Sequence, residues 1–234
     1  VGFVLSADKI IVFENAEVTI ELFSAPEIFF LIQRHTGHQS SNKKNSQESK
    51  PIKIILRDKQ RKNLGVKNDL LAKALGWKIK TPLKVIDATA GLGRDLEHML
   101  SLGCDVIGIE QNVHLYKALR LAFPEAKFIH ANSENVLQKT TSHFAEGSID
   151  VIYLDPMFPV KKKTAAVGKE SLLLQYLTDS LAESADIQLF HAAVATLVKR
   201  VVVKRPLKAE PFADTHRKLS HSYEGKAVRY DVYI

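Results

Sequence analysis

The chain has 234 residues and a formal net charge of +7, with 45% hydrophobic and 25% charged side chains. That suits an ordinary globular protein of one large domain, or one domain with a small appendage, and excludes the disordered and fibrous classes. No apolar run approaches the ~20 residues needed to span a bilayer, and the single cysteine, Cys104, excludes an internal disulfide framework, so a reducing, cytoplasmic setting is expected. The sequence begins at Val1, its opening residues lack a basic-then-apolar pattern, and a few tens of residues are expected before it. Residues 9–13 and 16–23 are β-rich and parted by the turn-like Glu14-Asn15, which predicts a small strand-rich N-terminal element. Residues 36–50 are polar and read as a linker. The expected division is 1–50 for that element and its linker and 51–234 for the main domain.

From Asn68 the pattern changes to alternating strands and helices. Asn68 is expected to cap a helix running to Leu75, which Gly76 ends. A strand at 84–86 leads through the turn 88–93 into a helix over 94–102. A second strand at 105–109 precedes a helix over 113–122, closed by Pro124. Strands follow at 127–129 and 149–154, the latter apolar throughout and ended by Asp155-Pro156. Helices are expected over 169–184 and 187–198, then strands over 200–204 and 229–234. Apolar, non-alternating strands between helices predict an α/β fold with a parallel sheet covered on both faces. The last strand follows a strand, not a helix, and is expected to pair antiparallel at one side.

The segment 85–95 runs from a strand into a turn containing Gly91 and Gly93 and opens a helix. Glycine permits positive φ and close approach of a ligand, and a helix N-terminus offers unpaired N–H groups. Such a turn by itself also occurs with no ligand. Two acids narrow the choice: Asp87 closes the first strand, and Glu110 closes the second, where an acid can accept both hydroxyls of a nucleoside ribose. The third glycine of the dinucleotide fingerprint is absent, with Leu96 in its place. An acid before the glycines would also repel a pyrophosphate. Asp87 suits the amino group of S-adenosylmethionine (SAM), which carries no phosphate, and Arg94 is available for that cofactor's carboxylate. These charges favour SAM over a nicotinamide dinucleotide.

Asp155-Pro156-Met157-Phe158-Pro159 follows the 149–154 strand, and ligands of open α/β sheets bind outside the carboxyl ends of their strands. The segment is compatible with a proline-rich strand exit that packs Phe158 in the core. Its functional reading is a site for an exocyclic amino group, whose lone pair is delocalised into its ring. The Asp155 carboxylate and a backbone carbonyl would hold the N–H groups and aim the lone pair at the SAM methyl, with Phe158 stacked on the base. Acceleration then comes from positioning and electrostatics, with no metal and no covalent nucleophile. Asp155 and Phe158 are the candidate catalytic residues.

Three segments carry a resemblance: Asp-Ala-Thr-Ala-Gly-Leu-Gly-Arg-Asp (87–95), Tyr-Leu-Asp-Pro-Met-Phe-Pro (153–159) and Lys-Arg-Val-Val-Val-Lys-Arg-Pro (199–206). They resemble the class I SAM-dependent methyltransferases and, within them, the bacterial 16S ribosomal RNA guanine-N2 methyltransferases, the RsmJ family. The likeness covers about residues 57–234 and, more loosely, the strands before them. It implies a Rossmann-like, mostly parallel seven-stranded sheet with an antiparallel last strand. It also implies SAM as methyl donor and N2 of a guanosine in 16S rRNA, free or in the small ribosomal subunit, as acceptor. By position it implies cofactor contacts at Arg94, Asp95, Glu110, Gln111, Asn132, Ser133 and Asp155, beside Asp87, Gly91 and Gly93 of the turn. Gln111 stands where an arginine is common and Asn132 where a serine is common; both can still hydrogen-bond. The stretch 61–67 departs from the glycine-rich sequence usual there.

The basic charge is unevenly placed. Residues 43–84 carry 13 basic and 3 acidic side chains, three lysines fill 161–163, and five more basic residues lie in 199–208. Arg61, Lys62, Lys161, Lys162, Lys163, Lys204 and Arg205 are therefore candidate contacts for RNA phosphates. A lysine triplet is more often an ordinary solvated turn, but its place directly after the proposed amino-group loop favours phosphate contact, and Arg205 is equally a structural ion-pair partner. The nine histidines show no ligand spacing and no metal is expected. Cys104, Met157 and Trp77 read as packing residues. Two rival functions stay open: a SAM-dependent enzyme acting on a DNA adenine or a protein glutamine, and a catalytically silent SAM-fold protein that binds RNA.

Overall fold

The computed structural model describes residues 9–14, 18–24, 28–34, 52–56, 69–140, 148–156, 168–178, 183–215 and 217–234. The chain builds two sheets. The first is antiparallel, with β1 (Lys9–Glu14), β2 (Val18–Phe23), β3 (Phe29–Arg34) and β4 (Ile52–Ile55) side by side in that order. β1 and β2 lie where the β-rich stretches predict them. β3 and β4 go beyond that expectation, and β4 carries the sheet past residue 50. Val18, Ile20 and Leu22 of β2 and Phe30 and Ile32 of β3 are buried and, with Leu56, join the main core.

The second sheet is built by α1 (Leu70–Leu75), β5 (Lys84–Asp87), α2 (Arg94–Ser101), β6 (Asp105–Glu110), α3 (Val113–Ala122), β7 (Lys127–His130), α4 (Ser133–Thr140), β8 (Val151–Leu154), α5 (Lys169–Leu177), α6 (Glu183–Val194), β9 (Arg200–Pro206), β10 (Leu219–Glu224) and β11 (Val228–Tyr233). Its seven strands run in the order β10-β11-β9-β8-β5-β6-β7. The five from β9 to β7 are parallel, and β11 is antiparallel to both its neighbours. The expected α/β class and antiparallel last strand are both present. The edge on that side is β10, whose sequence Leu-Ser-His-Ser-Tyr-Glu is too polar to announce a strand.

β8 is buried along its whole length, as a central parallel strand covered on both faces must be. Alternating side chains split the core into two layers. Val85, Tyr153 and Val202 cluster with residues of α1, α2, α3, α5 and the N-terminal sheet, while Ile86, Ile152, Val201 and Val203 cluster with residues of α4 and α6. Helix α1 starts one residue later than the expected cap at Asn68. Asp69 is its N-cap, with Oδ1 accepting the Ala72 N–H at 2.9 Å, and Gly76 closes the helix at φ 73°. Helix α5 stops at Leu177, short of the expected 184, because Thr178 turns extended. Trp77 donates to the Leu102 carbonyl at 2.8 Å, and burial pushes the Cys104 thiol up to about 11, so both act in packing.

β5 sits between β8 and β6: the chain runs outward from it through β6 and β7, then crosses back to β8 and β9 on its other side. This topological switch point opens a crevice outside the C-terminal ends of β5, β6 and β8.

Candidate active site

The crevice holds a cavity of about 600 Å³. Strand ends supply its charged groups: Asp87 from β5, Glu110 from β6, Asp155 after β8 and Lys204 from β9. Asp87, Gly91, Arg94, Asp95, Glu110, Gln111, Asn132, Ser133 and Asp155 all line it, so nine of the ten expected cofactor residues are brought together. The tenth, Gly93, acts on the shape of the turn.

Gly91 and Gly93 have φ of 52° and 73°, in the left-handed region that favours glycine. A Cβ on Gly93 would stand 2.7 Å from the Phe123 ring and 2.8 Å from Leu119, so glycine lets the start of α2 settle against the end of α3. Gly93→Ala is expected to lower stability by about 1–3 kcal/mol, the usual result of overpacking a filled site. Urea unfolding checks this, and an unchanged midpoint would contradict it.

Hydrogen bonds stitch the turn to its surroundings. The Ala88 N–H donates to the Tyr153 carbonyl at 3.0 Å and the Ala90 N–H to that of Ile109 at 3.2 Å. Ser133 Oγ donates to the Ala88 carbonyl at 2.6 Å, and the Asp155 N–H donates to Thr89 Oγ1 at 2.6 Å. Glu110 accepts the Gly91 N–H on Oε2 at 3.0 Å and the Asn112 N–H on Oε1 at 2.7 Å. Thr89 and Tyr153 are contributors that motif reading leaves unassigned. Their signals are a hydroxyl in an otherwise apolar turn and one polar tip in an apolar strand. Gln111 and Asn132, the two departures from the family pattern, are partners: Asn132 Nδ2 donates to Gln111 Oε1 at 3.4 Å.

The crevice is electronegative at its base. Burial raises Asp87 to about 8; the Thr89 N–H opposes this, and the neighbouring Asp95, Asp155 and Glu110 add to it. Burial likewise raises Glu110, against the backbone N–H groups of Asn112, Gly91 and Gln111 and the nearby His130. Lys204 Nζ lies 2.8 Å from Asp95 Oδ2 and 2.8 Å from Asp155 Oδ2, and the Tyr153 hydroxyl donates to Asp95 Oδ2 at 2.7 Å. Burial works against the Asp95 charge, but Lys204 and Tyr153 hold its pKa low. For Asp155 burial prevails over Lys204 and the pKa is raised. Burial also opposes the Lys204 charge, and its two carboxylates more than offset it, raising its pKa.

Two expectations need correction. Lys204 is not a projecting phosphate contact, because its ammonium is held between two carboxylates inside the crevice. Arg205 is not one either. Alternation along β9 turns it to the opposite face, where its guanidinium lies 3.9 Å from the Phe212 ring centroid and donates to the Glu210 carbonyl at 2.7 Å. Arg94, expected to await a cofactor carboxylate, holds Glu170 of α5 at 2.6 Å and the Leu56 carbonyl at the crevice rim. Phe158, Arg61, Lys62, Lys161, Lys162 and Lys163 lie outside the described residues. Among the described residues no helix is long and apolar enough to cross a membrane, and no cluster of His, Cys, Asp or Glu could hold a metal ion.

A switch-point crevice with a glycine turn, an acid at each of two strand ends and an Asp-Pro exit defines a class I SAM-dependent methyltransferase. The family model described as "Putative SAM-dependent methyltransferase" matches residues 19–234. A solved SAM-dependent methyltransferase from Neisseria gonorrhoeae is 26% identical, with a TM-score of 0.53 covering 79% of this chain and 78% of that one. Proteins named ribosomal RNA small subunit methyltransferase J from Bdellovibrio bacteriovorus and Photobacterium profundum are 38% and 39% identical. The matches cover 76% and 75% of this chain and 70% and 72% of theirs. The chain belongs to the ribosomal RNA small subunit methyltransferase J family, and its methyl donor is SAM.

Proposed function

We propose that this protein methylates the exocyclic N2 of a guanosine in 16S rRNA. The observation that carries this reading is the Asp155 carboxylate, which faces the same cavity as the glycine turn with its backbone N–H fixed on Thr89. The names of the relatives support RNA of the small ribosomal subunit as substrate. Such a substrate makes the protein cytoplasmic.

SAM, when bound, supplies an electrophilic methyl group on a sulfonium. The residues present fit such a cation, since seven Asp and Glu carboxyl groups line the cavity against two cations, Arg94 and Lys204. The Glu110 carboxylate accepts the Gly91 and Asn112 N–H groups on separate oxygens, with the Gln111 N–H also close, and a carboxylate's roughly four lone-pair sites leave capacity for the ribose hydroxyls. Asp87 takes the amino group, and Gln111, Asn132 and Ser133 flank the nucleoside. In the transfer, Asp155 accepts an N–H of the guanine amino group and directs the nitrogen lone pair at the methyl carbon. Its charge would stabilise the positive charge that develops on N2, and Asp155 would then pass the surplus N2 proton to water. Phe158 stacks on the base, and the basic side chains of 61–62 and 161–163 hold RNA phosphates.

Incubation with tritiated SAM and either 30S subunits or naked 16S rRNA, followed by digestion to nucleosides, tests the reading. Label is expected in N2-methylguanosine. Label in another nucleoside, or on protein, would overturn it.

A further inference from the structure

We propose that Lys204 is a positioning residue for methyl transfer: clamped between Asp95 and Asp155, its ammonium keeps the Asp155 carboxylate ionised and occupies one of its oxygens, leaving the other for the amino group. This rests on Asp155 as acceptor of the amino N–H. Register supplies the juxtaposition. β8 and β9 pair in parallel with Leu154 opposite Val203, so the next residues, Asp155 and Lys204, come side by side. On the other flank β11 sets Tyr230 opposite Lys204. The α2 helix brings Asp95 from above, with its Oδ2 shared between Lys204 and the Tyr153 hydroxyl. The side chains of Lys204, Asp95 and Asp155 are 21%, 20% and 34% exposed, so water screens the cluster only in part.

Five described titratable groups interact with Asp155, and their charges fit this role. They are Lys204 from β9, Asp95 from α2, Asp87 from β5, Tyr153 from its own strand and Tyr230 from β11. Lys204 is the cation of the set. Without it three carboxyl groups would share one buried site, and like charges so close are relieved by taking up a proton. A protonated Asp155 turns from pure acceptor to donor and cannot receive the N–H of an amino group. Lys204 therefore acts through Asp155 and not on RNA.

The test is kcat against pH with 16S rRNA and tritiated SAM at saturation, for wild type, Lys204→Met, Lys204→Arg, Asp95→Asn and Asp155→Ala. Activity falls on the acid side as Asp155 gains its proton. Lys204→Met removes the charge that opposes protonation, so the acid limb is expected to move up by about 1–3 pH units, with the deficit shrinking as pH rises. Asp95→Asn removes a like charge, so its limb is expected to move down. Lys204→Arg keeps the cation and restores the wild-type limb. The KM for RNA is expected to stay within about threefold in Lys204→Met. An acid limb that stays in place, a loss equal at every pH, or a raised KM for RNA with an unmoved limb would overturn the proposal. If Lys204→Met does not fold, the opposite shift in Asp95→Asn carries the test, and an unmoved limb there overturns it. Asp155→Ala separates the two readings. Its full activity overturns the acceptor role itself, whereas its inactivity beside unmoved limbs overturns Lys204 alone.

Discussion

Asp155→Ala is expected to lower kcat by at least about 10²–10³-fold, the range for removing one preorganised electrostatic contact from a transition state, while leaving RNA affinity nearly unchanged. The contact that fixes this position is made by the main chain, the Asp155 N–H on Thr89 Oγ1 at 2.6 Å, and it survives the substitution. Lys204 also keeps its second partner, Asp95, at 2.8 Å. Truncation thus removes a side chain from the cavity without removing what holds the cavity open. Single-turnover rates with tritiated SAM, beside filter binding of 16S rRNA, separate chemistry from association. Asp155→Asn retains one carbonyl acceptor but no charge, and is expected to fall between alanine and wild type. Wild-type turnover in the alanine variant would remove Asp155 from the chemistry.

The parts of this site that were legible in the sequence are those written locally. A glycine turn, an acid closing each of two apolar strands and an Asp-Pro exit lie within short stretches, and the switch-point topology then gathers them. Contacts that depend on register or on distant segments were not legible. Lys204 lies in a basic run and reads as surface charge, and only the Leu154–Val203 pairing reveals that it stands beside Asp155. Its neighbour Arg205 shares that run but faces the other layer, against Phe212. Arg94 meets Glu170 across 76 residues of sequence, a pairing no motif encodes. In the fold, β10 escaped because an edge strand with one solvated face needs few apolar residues, and β4 because four residues beside a polar stretch give too short a pattern.

Glu110→Ala is expected to weaken SAM binding by about 10–100-fold, matching the ~1.5–3 kcal/mol of hydrogen bonds to a charged group. Two losses combine. The variant lacks the acid assigned to the ribose hydroxyls, and it releases the Gly91 and Asn112 N–H groups that the carboxylate holds at 3.0 and 2.7 Å. Freed of Glu110, the turn at Gly91 keeps its contacts to Tyr153, Ile109, Ser133 and Asp155. The damage remains local, because Asn112 Oδ1 still caps α3 by accepting the His114 and Leu115 N–H groups at 2.9 and 3.1 Å. Calorimetric titration with SAM reads the effect directly, and thermal unfolding confirms that α3 persists. Glu110→Gln is the sharper variant. Its carboxamide has one oxygen and one NH2 group, so it can accept on one side only and must set an N–H against either the Gly91 or the Asn112 N–H on the other. A nearly isosteric replacement is thus expected to bind SAM clearly less well than wild type. Affinity unchanged in both variants would contradict the ribose assignment, since neither a lost acceptor nor a reversed one could then have been facing the cofactor.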